Sequence, residues 1–335
     1  MLYKIFPLGE LITMKKIITI LIALIFSMSF MMTTACEKKT DYTVGILQLV
    51  RHSALDAANN GFQKELNKLM KEAGKTVKYD NKNASGDKTT TKTMADVLVS
   101  KNVDLILAIA TPAAQAVAAA TDTIPVLFTA VTDAVAADLV DSNENPKYNV
   151  SGTSDLNPID MQVELITRLV PGVKKIAVMY NTAEQNSRIQ VQLVKNKCAE
   201  LNIQVVDKGI SDQNNIEATF LSLPSDVEAI YIPTDNMLAN AKDNVHIKNK
   251  AGKKLPIVCG EIGMNDGCGV ATYGIDYYKL GQQTAQMAFD ILVNGADISK
   301  MPVELQKEYL FSVNQAIADE INFTIPQAVM DEASK

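Results

Sequence analysis

The sequence holds no tryptophan, two histidines and four cysteines in 335 residues. Four cysteines are too few for a disulfide scaffold. His52 and His246 stand far apart, which makes a poor metal or nucleophile–base constellation. Cys259 and Cys268 do not have zinc-ligand spacing, and a bridge between them is left open. Aromatic residues make up only 6%, which weighs against a site that stacks sugar rings. No basic stretch is concentrated anywhere, and 32 Lys+Arg against 38 Asp+Glu give a net charge of −6. That argues against nucleic acid as a partner. Sixteen Gly and eleven Pro exclude a collagen-like chain, and 47% hydrophobic residues exclude a disordered one. No G-x-G-x-x-G opens the first strand–helix unit, no Gly-x-Ser-x-Gly appears, and the glycine-rich run Gly260–Gly269 lacks the Gly-Lys-Ser/Thr ending of a phosphate loop. No catalytic constellation and no cofactor are expected.

Residues 1–36 read as an export address rather than as fold. Lys15 and Lys16 precede an apolar run over residues 17–32, slightly short for a membrane span of about 20 residues. Thr33-Thr34-Ala35-Cys36 resembles the bacterial lipobox, with Thr33 where leucine is usual. There the cysteine is lipidated and becomes the N-terminus, and two acyl chains suffice for stable anchoring. An uncleaved anchor and plain secretion are the alternatives, and all three place the rest of the chain outside the cytoplasm. Met14 makes a better signal start than Met1. Removing residues 1–36 takes away three lysines and one glutamate, so the remainder carries −8. Residues 37–41 form a polar tether.

From Tyr42 onward, short apolar strands alternate with helical segments. Strands are expected at 43–49, 76–79, 105–110, 126–129, 150–154, 175–180, 204–208, 229–232, 257–259 and 270–273. Continuous apolar runs such as Leu105–Ala110 are how parallel strands buried on both faces read. Ala54–Met70 is an amphipathic helix with Leu55, Ala58, Phe62 and Leu66 on one face; Ile189–Leu201 and Tyr277–Leu292 follow the same spacing. Ala239–Lys250 reads as a polar helix with His246 exposed, and residues after Met301 as a strand-rich tail. Strict alternation means α/β with parallel sheets, and ten strands fit two sheets of about five. The fold class is thus α/β, with two doubly wound lobes and a first crossover at Val150–Asp155.

In open α/β sheets ligands bind beyond the carboxyl ends of the strands. The residues that follow them are Gln48, Arg51 and His52; Thr111; Thr129 and Thr132; Asn181, Glu184, Asn186 and Ser187; Thr234, Asp235 and Asn236; and Glu261. Singly, each reads first as a helix cap. Together, six strand ends carry short hydrogen-bonding groups at helix starts, which suit a carboxylate. Asp235 and Glu261 suit an ammonium group. A zwitterion satisfies both.

Several segments resemble the bacterial ABC-transporter substrate-binding family of the tryptophan and tyrosine uptake type. They are Val44–Gln48, His52–Ala58 and Gly61-Phe62; Ala110–Gln115; Gly152–Asp155; Tyr180-Asn181 with Glu184, Asn186 and Ser187; Ile232–Asn236; Gly260-Glu261; Ala271–Gly281; and Met301–Glu304. The resemblance implies a type I periplasmic-binding fold with three crossovers. Lobe 1 would hold 42–153 plus 276–300, and lobe 2 would hold 154–275 plus 301–335. It implies an aromatic amino acid as ligand, an ABC permease as partner, a lipid-anchored location and a monomer. Within it, Asn186, Ser187 and Thr111 would hold the ligand carboxylate, and Asp235, with Glu261 as second choice, the ammonium. Gln48, His52 and Asp155 would line the cleft, and Thr129, Tyr180, Asn181, Glu184, Thr234, Asn236 and Asp276 complete the candidate set. With no tryptophan to stack on a ring, Phe128, Tyr180 and Tyr273 are the aromatics at hand, Phe128 more readily as core. Arg51 is the position that would alter what the pocket accepts. A sugar or nucleoside on the same fold, and a surface adhesion or signalling lipoprotein, are the rival readings.

Overall fold

The computed structural model describes residues 40–146 and 148–333. The expected leader, Cys36 and residues 37–39 of the tether lie outside the described residues. The first half runs β1 (Tyr42–Gln48), α1 (Ser53–Glu72), β2 (Val77–Asn83), α2 (Lys88–Ser100), β3 (Leu105–Ile109), α3 (Thr111–Ala118), β4 (Val126–Val131) and β5 (Val150–Ser154). The second half runs α4 (Ile159–Leu169), β6 (Lys175–Asn181), α5 (Gln185–Glu200), β7 (Gln204–Ile210), α6 (Ile216–Leu221), β8 (Ala229–Ile232), α7 (Asn236–Asn240), α8 (Lys242–Ala251), β9 (Ile257–Cys259), α9 (Ile262–Cys268) and β10 (Ala271–Gly274). The chain ends in α10 (Tyr277–Leu292), β11 (Glu304–Leu305), β12 (Leu310–Val313), α11 (Gln315–Glu320) and α12 (Gln327–Ala333).

Two six-stranded sheets result, in the orders β11-β5-β4-β3-β1-β2 and β12-β10-β9-β8-β6-β7. The pairings are parallel except β10 with β12, which is antiparallel. β3 and β4 are buried along their whole length, as apolar runs flanked by helices on both faces require. All ten strands expected from the pattern are present, and β11 and β12 add one to each sheet. The tail is less strand-rich than its sequence reads, because α11 and α12 cover the edge of the second sheet.

Each sheet with its helices forms a lobe, and the chain passes between lobes three times, after β5, after β10 and after β11. Residues 304–305 pair with β5 and stay in the first sheet, so the last passage lies between β11 and β12 rather than at residue 301. The passages are tied together. Asn157 Oδ1 accepts from Ile275 N at 3.1 Å, and Gln306 Nε2 donates to Asp276 O at 2.7 Å.

Lobe 1 owes its compactness to a close approach of α1 and α10. A Cβ at Gly61 would lie 2.1 Å from the Tyr278 carbonyl oxygen, and one at Gly281 would lie 1.9 Å from that of Ala58. Only glycine admits that spacing, and it lets Leu55, Ala58, Phe62 and Leu66 bury fully against the sheet.

Two helices differ from the sequence reading. In α5 the buried stripe is Asn186, Ser187, Gln190, Val191, Val194 and Cys198, while Leu193 and Leu201 are partly exposed. The helix is rotated because its polar first turn enters the space between the lobes. The polar segment Ala239–Lys250 is two helices, broken at Ala241, and His246 is half-buried with Nε2 2.9 Å from Glu320 Oε2.

Candidate functional site between the lobes

The carboxyl ends of the two sheets face one another across a narrow gap. On the lobe 2 side, polar residues bond chiefly among themselves. Glu184, the residue before α5, accepts at Oε2 from Asn236 N (3.0 Å), Asn236 Nδ2 (2.6 Å) and Asn186 Nδ2 (3.2 Å). Its Oε1 accepts from Met237 N (3.0 Å) and Asn181 Nδ2 (3.1 Å). Asp235 caps α7 through Leu238 N (2.9 Å) and accepts at Oδ2 from Asn181 N (2.6 Å) and Ser187 Oγ (2.7 Å). Burial first, and the neighbouring Glu184 second, push the Asp235 carboxyl up to about 7. Gln190 holds Thr234 through both its amide atoms.

Lobe 1 and the passages contribute differently. Asp155 accepts from Tyr277 OH at 2.7 Å and from Thr132 Oγ1 at 3.2 Å, and burial raises its carboxyl. His52 precedes α1 without capping it. Burial drops its ring to about 4, which keeps it neutral at neutral pH. Ala110, before α3, has no side chain to cap with and sits at a positive φ of 83°. Ala130, the penultimate residue of β4 where its register with β5 shifts, has a φ of 57°. Non-glycine residues in this region are strained, and these two sit at the carboxyl ends of β3 and β4, Ala130 lining the cavity between the lobes. Thr111, the first residue of α3, is buried with an unpartnered hydroxyl.

An inner cavity of about 10 Å³, the room of about one water, is lined by His52, Leu55, Ala130, Thr132, Asp155, Asn186, Thr234, Asp235, Asn236, Ala239, Glu261 and Tyr277. Three of the lining residues hold a buried polar atom with no hydrogen-bond partner: His52 Nδ1, Asn186 Oδ1 and Glu261 Oε1. Glu261 is 2% exposed and caps α9 through Gly263 N at 2.5 Å with its other oxygen. Burial pushes its carboxyl up to about 7. Three carboxylates line the cavity and no lysine or arginine does. A chamber of about 920 Å³ lies outside it, with Asn236 lining both.

Seven of the fifteen candidates thus meet at the inner cavity: His52, Asp155, Asn186, Thr234, Asp235, Asn236 and Glu261. Asn181 and Glu184 line the chamber, as do Pro112 and Gln115 of α3, whereas Thr111 itself lines neither space. Ser187 is buried behind, against Asp235. The others lie elsewhere. Gln48 is spent beneath α1 on Val50 O, Asp56 and Asn59. Thr129 bonds Thr153 within lobe 1. Asp276 caps α10. Tyr180 packs against the lobe 2 core, and Arg51 is exposed beside Asp56. Phe128 is core, and the Tyr273 hydroxyl meets Arg168 at 2.9 Å. The phenol ring that lines the cavity is that of Tyr277, which sequence reasoning passed over as a helix residue. Its signal is its place directly after the Asp276 cap, where the chain crosses between lobes. Cys259 and Cys268 are free buried thiols whose sulfurs lie 3.7 Å apart.

Two α/β lobes, three passages and a polar gap define a hinged solute receptor. The comparisons agree. The family described as ABC transporter substrate binding protein matches residues 43–335, and this chain belongs to it. The chain is 39% identical over 320 residues to the tyrosine-binding protein of Clostridioides difficile strain R20291, covering 91% of this chain and 92% of that one. It is 37% identical to the ABC domain of Streptococcus pneumonia in complex with L-Trp, covering 87% and 98% with a TM-score of 0.80. It is 40% identical to a substrate binding protein with adhesive properties from Clostridium difficile in a ligand-free, open structure, covering 85% and 96% with a TM-score of 0.66.

Proposed function

We propose that this protein captures a free amino acid with an aromatic side chain between its lobes and presents it to an ABC permease. The observation that carries this is one cavity lined from both lobes whose charged residues are all acidic and three of whose lining residues each hold a buried polar atom without a partner. Asn186 Oδ1 and Glu261 Oε1 are acceptors, and the neutral His52 ring offers a third lone pair. An ammonium group has three N–H donors and one positive charge, and it is about the size of a water. Glu261 is the better ammonium partner, because both oxygens of Asp235 are occupied within lobe 2. Asn186 acts as an acceptor here, its amide hydrogens being spent on Glu184 and Thr234.

The carboxylate falls to the Thr111 hydroxyl and to the uncapped helix starts of α1 and α3, whose first-turn amides carry the positive ends of the helix dipoles. Binding both lobes at once favours the closed arrangement. The aromatic preference is supported by the tyrosine-binding relative and the L-Trp complex. The lipobox-like Thr33–Cys36 supports attachment to the outer face of the membrane, with the protein working as a monomer and without catalysis.

Thermal unfolding of the purified mature domain with L-tyrosine, L-phenylalanine and L-tryptophan tests the ligand class. At least one raises the melting temperature by several degrees, while glucose and adenosine do not; no response to any of the three amino acids sinks the reading. Cys36→Ser moves the protein from the membrane fraction to the medium if the anchor is real.

A further inference from the structure

Across the gap, outside the inner cavity, two uncharged side chains bond directly from lobe to lobe. Gln115, on α3 of lobe 1, donates through Nε2 to Gln185 Oε1 of α5 at 2.8 Å and to Ala137 O at 3.0 Å. Gln185 donates in turn to Ala136 O of lobe 1. The acceptor turn is itself held in place. Asp133 Oδ1 accepts from Ala136 N at 2.9 Å, and Ala137 N and Leu139 N bond back to Asp133 O and Ala134 O. The carbonyls of Ala136 and Ala137 are therefore presented to the glutamines by a fixed piece of lobe 1. Among the described residues, the other side-chain hydrogen bonds between the bodies of the lobes are longer, at 3.4 Å each: His52 to Asn236, Gln190 to Thr132 and Lys242 to Ser53.

We infer that Gln115 and Gln185 form an interlobe clasp that favours the closed arrangement and thereby raises ligand affinity. This rests on the reading that the ligand binds between the lobes. Neither glutamine lines the inner cavity, and both line the outer chamber. The bonds are between protein groups, so they contribute to closure whether or not solute is present. A binding-competent state that is favoured beforehand lowers the apparent dissociation constant in proportion to its population. Both partners are amides, so the clasp does not titrate and is little affected by salt, unlike the charged residues Lys88, Lys92, Arg188 and Asp212 around the same chamber.

The test uses the mature domain with one dye on each lobe, so that energy transfer reports lobe separation. Gln185→Ala and Gln115→Ala shift the ligand-free protein toward greater separation. They also speed tyrosine dissociation about 3- to 10-fold with association little changed. The double variant is barely worse than Gln185→Ala, which already removes both bonds that cross the gap, whereas Gln115→Ala alone leaves the bond from Gln185 to Ala136 O and opens the protein less. Gln185→Glu keeps the volume but sets a carboxylate against the Ala136 carbonyl, and it opens the protein at least as far; a normal melting curve shows that it folds. Unchanged separation in these variants overturns the clasp, and it does so even if tyrosine proves not to be the ligand. Altered separation with wild-type dissociation overturns the role in affinity. The separation shift persists in 0.5 M salt; its loss there would assign the effect to the charged rim.

Discussion

The two faces of the cleft solve opposite problems. The lobe 2 face is a closed society: Glu184, Asn181, Asp235, Ser187 and Asn236 satisfy one another, and the carboxylate of Glu184 alone takes five donors. The lobe 1 face is left incomplete, with α1 and α3 uncapped by side chains and Thr111 buried without a partner. One face spends most of its polar atoms on itself and keeps only Asn186 Oδ1 and Glu261 Oε1 unpartnered, and the other offers His52 Nδ1, the Thr111 hydroxyl and two uncapped helix starts. Buried groups left unpaired cost free energy in the folded protein, so they mark function more sharply than the satisfied ones do.

The largest way to break this contrast is Glu184→Ala. It strands the amides of Asn236 and Met237 and the side chains of Asn181 and Asn186, and it should cost on the order of 3 kcal/mol of stability in urea unfolding. A loss under about 1 kcal/mol would mean that lobe 2 is not organised around this carboxylate. Next in size, Glu261→Gln removes the free charged acceptor. Tyrosine affinity in calorimetry should fall by about 2–3 kcal/mol, a loss of roughly 30- to 150-fold, while the fold tolerates the swap.

The same residue sets a pH dependence. With its carboxyl raised to about 7 by burial, Glu261 is largely neutral in the ligand-free protein at pH 5 and must ionise to hold an ammonium. Affinity therefore climbs from pH 5 to about pH 7.5 and then levels, and Glu261→Gln flattens the climb. For the ligand-free fold the sign is opposite. A carboxyl raised above its unfolded value contributes stability that is full below about pH 4.5 and is lost as pH rises through 7. Asp235, also raised to about 7, adds in the same direction and stays in the variant. Smaller still, Thr111→Val should leave stability within about 1 kcal/mol of wild type, since the hydroxyl has no partner to lose, yet weaken tyrosine binding several-fold. At the bottom of the scale, Arg51→Ala should change neither, because its side chain is 79% exposed beside Asp56.

Much of the fold was legible in the chain. Runs such as Leu105–Ala110 and Lys175–Tyr180 announce buried parallel strands through composition alone, and the order of strands and helices leaves few topologies. The site was legible only by position. The rule that ligands sit at strand ends led to His52, Asn186 and Glu261, and the family resemblance added Asp155. It led equally to Gln48 and Thr129, which face inward and bond within lobe 1. Both kinds look identical in sequence, because a polar residue after a strand serves as cap, core network or ligand contact with the same chemistry. Tyr277 was missed for the converse reason, since an aromatic at a helix start reads as packing.

Local pattern thus determined the elements, the two-lobe class and the family likeness, because period and composition act over a few residues at a time. Which oxygen of Glu261 is free, why Asp235 is not, how α5 is rotated and which glutamines meet across the gap were decided by the tertiary structure. Those properties depend on which distant groups arrive within about 3 Å, a distance set by the packing of whole lobes rather than by any neighbour along the chain.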